Sequence, residues 1–181
     1  YNGYNCLMVL ACSFLIFSDK FFAKILYAND FYKAWEYVPF LLISIVFGAT
    51  SGYIGGIFSA LKKAKILAQS TTVGAVVNII LNVILVYILG PIGAAVSTAI
   101  SYIIVWGIRL YYMNKYLHTE LNLKRDIISY VILFFQAIAI ILIPTGLIMY
   151  SIEGIMFIVL ILLYHKEIAM PIAILKKKLG H

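Results

Sequence analysis

Residues 66–89 and 92–112 are two unbroken apolar stretches joined by Gly90-Pro91, and they restrict the chain more than any other feature. The first holds 24 residues with no charge, and the second holds 21 with one, Arg109. A bilayer core about 30 Å thick is crossed by roughly 20 helical residues at about 1.5 Å rise each. Both stretches meet that length. Pro has no backbone N–H and is tolerated in a first helical turn, so Gly90-Pro91 ends one helix and starts the next. The pattern predicts a tight transmembrane hairpin.

The remainder repeats the theme. Hydrophobic residues make up 64% of the chain and charged ones 12%, against about half and about a quarter in soluble domains. This reads as a membrane protein of all-α class, a polytopic transmembrane helix bundle. The net charge of +7 then concerns loop placement rather than nucleic acid. Cys6 and Cys12 match no metal or redox spacing and read as small packing residues. The chain opens at Tyr1 inside an apolar run, with no initiator Met or cleavage site. That start is expected of a fragment of a longer protein.

In order, residues 1–18 form a first span. Residues 19–36 mix Phe21, Phe22, Phe31, Tyr32 and Trp35 with Lys20, Lys24, Lys33 and three acids, as suits a short helix at the membrane–water boundary. Asp19, Asp30 and Glu36 have no paired-acid or metal-ligand spacing that would make a catalytic loop. Residues 37–61 form a second span with a row of small residues, Ser44, Gly48, Gly52, Gly56 and Ala60, and a second row, Ser51, Gly55 and Ser59. Small residues at i, i+4 let helices approach closely, where packing replaces the missing hydrophobic drive. Ser44, Gly48, Gly52 and Gly56 are the predicted packing seam.

The hairpin follows. On its first helix Thr71, Ala75, Asn78 and Asn82 share a face, and Gly93, Ser97 and Ser101 form a small, polar row on the second. Amides in hydrocarbon need partners, so that face turns to helices or water. After a polar connection at 114–126, residues 127–150 are apolar except for Gln136, with Pro144 expected to kink them. Ser151-Ile152-Glu153-Gly154 reads as a turn, residues 155–164 as a short sixth segment, and the tail with Lys176, Lys177 and Lys178 as a surface segment. With ends alternating, 11 of the 14 basic residues fall on one side and three, Lys20, Lys24 and Lys33, on the other. Lys and Arg favour cytoplasmic ends, which places the 11-residue side and the C-terminus inside.

Several motifs occur in order: Ala34 to Leu42 with Pro39 entering a Leu-rich helix, Gly55-Gly56-Ile57-Phe58-Ser59-Ala60-Leu61 before Lys62-Lys63-Ala64-Lys65, Gly74 to Asn82, Gly90-Pro91-Ile92-Gly93-Ala94-Ala95, and Ser101-Tyr102. Together, over about residues 30–113, they resemble the C-terminal part of bacterial polysaccharide-biosynthesis flippases. These are the Wzx-type members of the multidrug/oligosaccharidyl-lipid/polysaccharide exporter superfamily. The resemblance implies a two-lobed, all-helical transporter of which this chain holds about six spans. Residues 1–113 would be the last four helices of the C-terminal lobe, and 114–181 an extra helix pair with a basic cytoplasmic tail.

It also implies a function: translocation of an undecaprenyl-pyrophosphate-linked oligosaccharide across the bacterial inner membrane, for O-antigen or capsule. Membrane lipid and other polysaccharide-assembly membrane proteins are the implied partners, without nucleic acid, cofactor or metal. Sugar hydroxyls need neutral hydrogen-bonding side chains, which makes Thr71, Asn78, Asn82, Ser97, Ser101 and Gln136 candidates for the path. The alternative is that each only bonds a neighbouring helix. Arg109 could meet a pyrophosphate or snorkel to the interface. A cation-coupled drug antiporter of the same superfamily is the second reading, although the apolar interiors of the second, third and fifth segments carry no ionisable group. A membrane glycosyltransferase is the third; His118, His165 and His181 are scattered singly and form no ligand set, so no catalytic residue is expected.

Overall fold

Every regular element described is a helix. A computed structural model describes residues 1–26, 29–117 and 121–169, with the backbone alone at 26 and 29–32. The helices are α1 (Asn2–Leu26), a 3₁₀ helix (Asn29–Glu36), α2 (Val38–Ala60), α3 (Ala64–Leu89), α4 (Pro91–Leu117), α5 (Leu123–Leu142) and α6 (Leu147–Leu163). Five of them, α1 to α5, are long and apolar enough to cross a membrane, and α6 is a shorter apolar helix. The chain is a polytopic membrane helix bundle. His118, the side chains of Asp30, Phe31 and Tyr32, and the tail with Lys176, Lys177, Lys178 and His181 lie outside the described residues.

The hairpin forms where the sequence places it. Gly90 has φ 65° and ψ −147°, a combination that excludes side chains bearing a Cβ. Its amide donates to the Val86 carbonyl at 2.9 Å, and the Gly93 amide donates to the Gly90 carbonyl at 2.9 Å. A Cβ at Gly93 would overlap the backbone of Leu85, so the first turn of α4 lies directly on the last turn of α3. At the other end of α3, Lys62 takes φ 55° while the Lys63 amide closes on the Phe58 carbonyl at 2.8 Å. That pattern terminates α2.

Three expected boundaries differ. The first span does not stop at residue 18: α1 runs on through Asp19, Lys20 and Lys24, because 19–26 contain neither Gly nor Pro and three charges alone do not end a helix. The boundary helix is therefore confined to the 3₁₀ segment. Pro144 does not kink a long fifth helix; the helix ends at Leu142 and the chain turns through Ile143-Pro144-Thr145-Gly146. Residues before Pro avoid the helical region, and Ile143 is extended at φ −89°, ψ 128°. The expected turn at 151–154 lies inside α6, with Glu153 fully buried. The sixth helix is accordingly 17 residues long rather than ten.

The chain divides into two compact units: Tyr1–Phe17 with Leu121–His181, and Ser18–Glu120. The first unit joins the start of α1 to α5 and α6 through buried polar pairs. Asn5 donates to the Tyr164 hydroxyl at 3.2 Å and accepts from the Tyr130 hydroxyl at 2.8 Å. Tyr164 donates to Asp126 at 3.1 Å, which also pairs with Arg125 at 3.0 Å, and Arg125 meets Glu167. Ser13 donates to Gln136 Oε1 at 2.8 Å. Phe14 against Phe157 and Phe17 against Tyr150 complete the contact of α1 with α6.

In the second unit α4 packs against both α2 and α3, with Phe47 edge-on to Trp106 at 5.4 Å. The packing seam of α2 starts on the expected row and leaves it. Ser44 is buried, and a Cβ at Gly48 would lie 3.3 Å from the Tyr102 ring. Gly52 and Gly56 have nothing within 4 Å of a Cβ. Each four-residue step advances about 400°, so the row drifts by about 40° per step and rotates off the contact. The seam continues instead through Ser51, Gly55 and Phe58, all buried.

Candidate functional site

A pocket of about 400 Å³ opens between α2, α3 and α4, lined among others by Gly48, Ser51, Thr71, Asn78, Thr98 and Arg109. Its volume lies within the range of small-molecule sites, about 300–1,000 Å³. Small residues make room for it: Gly48 on α2, Gly74 and Ala75 on α3, and Ser101 on α4 all reach the lining. Every polar group there other than Arg109 is neutral.

Arg109 sits at one end, 8% exposed. Its Nε donates to Ser70 Oγ, Nη1 to the Ser51 carbonyl and Nη2 to Thr71 Oγ1, each at 2.9 Å. These partners come from α2 and α3, so the guanidinium ties three helices together. Nη1 approaches α2 closely at Gly55, whose Cβ would lie 3.0 Å from it. Both described ion pairs belong to Arg125, and Arg109 has no acidic partner among the described residues. Snorkelling does not describe this side chain, which points into the bundle.

The predicted residues divide. Thr71, Asn78, Ser101 and Arg109 meet at the pocket. Asn78 Nδ2 reaches Thr98 Oγ1 at 3.5 Å, and Ser101 Oγ returns to the Ser97 carbonyl at 2.7 Å. Asn82 lies outside this pocket, in an open groove with Ile79, Val83, Val86 and Tyr87 that also reaches Asn78. Ser97 is fully buried, with its hydroxyl on the Ala94 carbonyl at 2.9 Å, and does not line the pocket. Gln136 belongs to the other unit, where it holds Ser13 and its amide approaches the Glu153 carbonyl at 3.5 Å. It acts there as a bond between helices.

Thr98, Tyr102, Ser51 and Ser70 were not anticipated as site residues. The signal for two of them was present: Thr98, Ser101, Tyr102, Val105 and Arg109 recur at three- and four-residue steps, a helical face with polar and aromatic members. Ser51 and Ser70 each bond their own helix as well, at the Gly48 and Leu67 carbonyls, a habit of buried hydroxyls that sequence does not separate from ligand contact.

No family model matches the chain, and neither the curated proteins nor the solved structures contain a match. No group of three His, Cys, Asp or Glu able to hold a metal ion occurs among the described residues.

Proposed function

We propose that this chain is part of a flippase that moves a lipid-linked oligosaccharide, of the undecaprenyl-pyrophosphate type, across the bacterial inner membrane for surface-polysaccharide assembly. The observation that carries this reading is the pocket between α2, α3 and α4, where Thr71, Asn78, Thr98 and Ser101 offer neutral hydrogen-bonding groups. A sugar leaving water loses partners for each hydroxyl, and an unpaired buried hydroxyl costs about 1–3 kcal/mol. Amides and alcohols replace those partners without imposing a charge. The 11-to-3 division of basic residues supports a cytoplasmic C-terminus.

The test is translocation of a fluorescent lipid-linked oligosaccharide in proteoliposomes, read from its accessibility to an impermeant quencher. Asn78→Leu in the full-length protein should abolish translocation at unchanged reconstitution yield. Undiminished translocation by that variant would remove the pocket from the path.

One observation favours cation-coupled transport as a second reading. Glu153 is an ionisable side chain fully buried in the short apolar helix α6, and ionisable groups within membrane segments mark ion pathways. Under this reading Glu153→Gln would make transport independent of an imposed pH or sodium gradient.

A further inference from the structure

Four lysines gather at one shared end of α2, α3 and α4, and no acid accompanies them in the chain. Residues 37–119 contain no Asp or Glu, while Lys62, Lys63, Lys65, Arg109 and Lys115 all fall within them. Lys62 and Lys63 form the α2–α3 turn, and Lys65 lies in the first turn of α3. The Lys63 ammonium sits 3.3 Å from the centroid of the Tyr116 ring, near the end of α4. That contact brings Lys115, one residue before Tyr116, to the same end. Lys62, Lys65 and Lys115 are exposed, and none of the four lysines forms an ion pair among the described residues.

The surroundings of these charges select the anion that would neutralise them. The three helices are each long and apolar enough to cross a membrane, so their shared end lies at the level of the lipid headgroups. Tyr111 and Tyr116 are exposed beside the lysines, and Tyr112 stacks on Tyr116 at 6.4 Å. Tyr is enriched in that interfacial layer, where Lys stems lie along apolar surface and the ammonium reaches the polar zone. Leu61 and Leu117, both exposed, supply the apolar surface on either side.

We propose that the α2–α3 turn and the end of α4 form a docking surface for the headgroup of an acidic phospholipid. Lys62, Lys63 and Lys65 meet its phosphate, and Lys115 adds charge beside them. The tyrosines and the two leucines lie along its glycerol and upper acyl region. The Tyr116 ring holds the Lys63 ammonium in place, so one cation is positioned before the lipid arrives. Each Lys near an anionic membrane surface adds roughly fivefold in affinity. Such a surface would serve whatever solute the α2–α3–α4 pocket carries.

The test titrates the whole chain, in a maltoside detergent that has no phosphate, with phosphatidylglycerol and with phosphatidylcholine of the same acyl chains. Native mass spectrometry counts the bound lipid. Phosphatidylglycerol should bind at least about tenfold more tightly. Lys62→Gln with Lys65→Gln should lower that preference at least about fivefold. Lys24→Gln with Lys33→Gln removes the same charge at exposed sites elsewhere and should leave the preference unchanged. A photoreactive phosphatidylglycerol should label residues 61–65 or 111–117 of the unsubstituted chain, which locates the site without any variant. A preference that is absent, that survives in the Lys62/Lys65 pair, or that falls equally in both pairs would overturn the inference, as would labelling confined to other segments. Glycerol phosphate competing as well as phosphatidylglycerol would assign the lysines to a soluble anion and overturn the lipid assignment.

Discussion

A Cβ on Gly74 would overlap the Val105 methyl Cγ2, which fixes how closely α3 lies against α4. Val in a helix has one strongly preferred χ1, so the methyl cannot turn aside freely. Gly74→Val should lower thermal stability in detergent by about 1–3 kcal/mol, the usual cost of overpacking. Gly52→Ala, with open space within 4 Å of its Cβ, should be neutral or stabilising by up to about 1 kcal/mol through helix propensity. Equal loss in both variants would show that α3 and α4 do not meet at Gly74.

The contrast between those two glycines shows what the sequence could convey. The α3–α4 hairpin was legible because charge-free length and Gly90-Pro91 act locally. The seam of α2 was only half legible: a row stepped by four reads well on paper but turns about 40° per step, so Ser44 and Gly48 lie on the contact while Gly52 and Gly56 rotate off it. Ser151-Ile152-Glu153-Gly154 reads as a turn in the sequence but lies inside α6. Burial within α6 depends on partners distant in sequence. For the same reason Asn82 and Gln136, polar like Asn78, could not be separated from the pocket in advance.

The bonds of Arg109 predict unequal costs for two serines on the same bundle. Ser70 accepts from Nε of a buried cation, whereas the Ser97 hydroxyl donates only to its own helix. Ser70→Ala should destabilise the folded chain by about 1–3 kcal/mol, the penalty of leaving a buried donor unpaired. Ser97→Ala should stay within about 0.5 kcal/mol. Detergent unfolding curves of the two variants decide this, and a costlier Ser97→Ala would mean that the Arg109 network is not formed.

Tyr164 occupies the centre of the polar cluster that joins α1, α5 and α6, receiving a bond from Asn5 and giving one to Asp126. Tyr164→Phe removes both and keeps the ring beneath Arg125, which lies 4.3 Å from the ring centroid. A loss of about 1–3 kcal/mol is expected. A double-mutant cycle with Asn5→Leu should give a coupling of about 0.5–3 kcal/mol, as for residues in one network. Strict additivity would separate Asn5 from Tyr164.

Orientation in the membrane is exposed to a direct chemical test. Cys6 and Cys12 are both buried and free, so a background with both replaced loses little surface chemistry. Lys65 and Lys33 are both exposed, and they lie at opposite ends of α2 in the chain order. The excess of Lys and Arg around the α2–α3 turn predicts that this turn faces the cytoplasm. In intact cells Lys33→Cys should react with a membrane-impermeant maleimide, whereas Lys65→Cys should react only after permeabilisation. The opposite pattern would invert the proposed orientation.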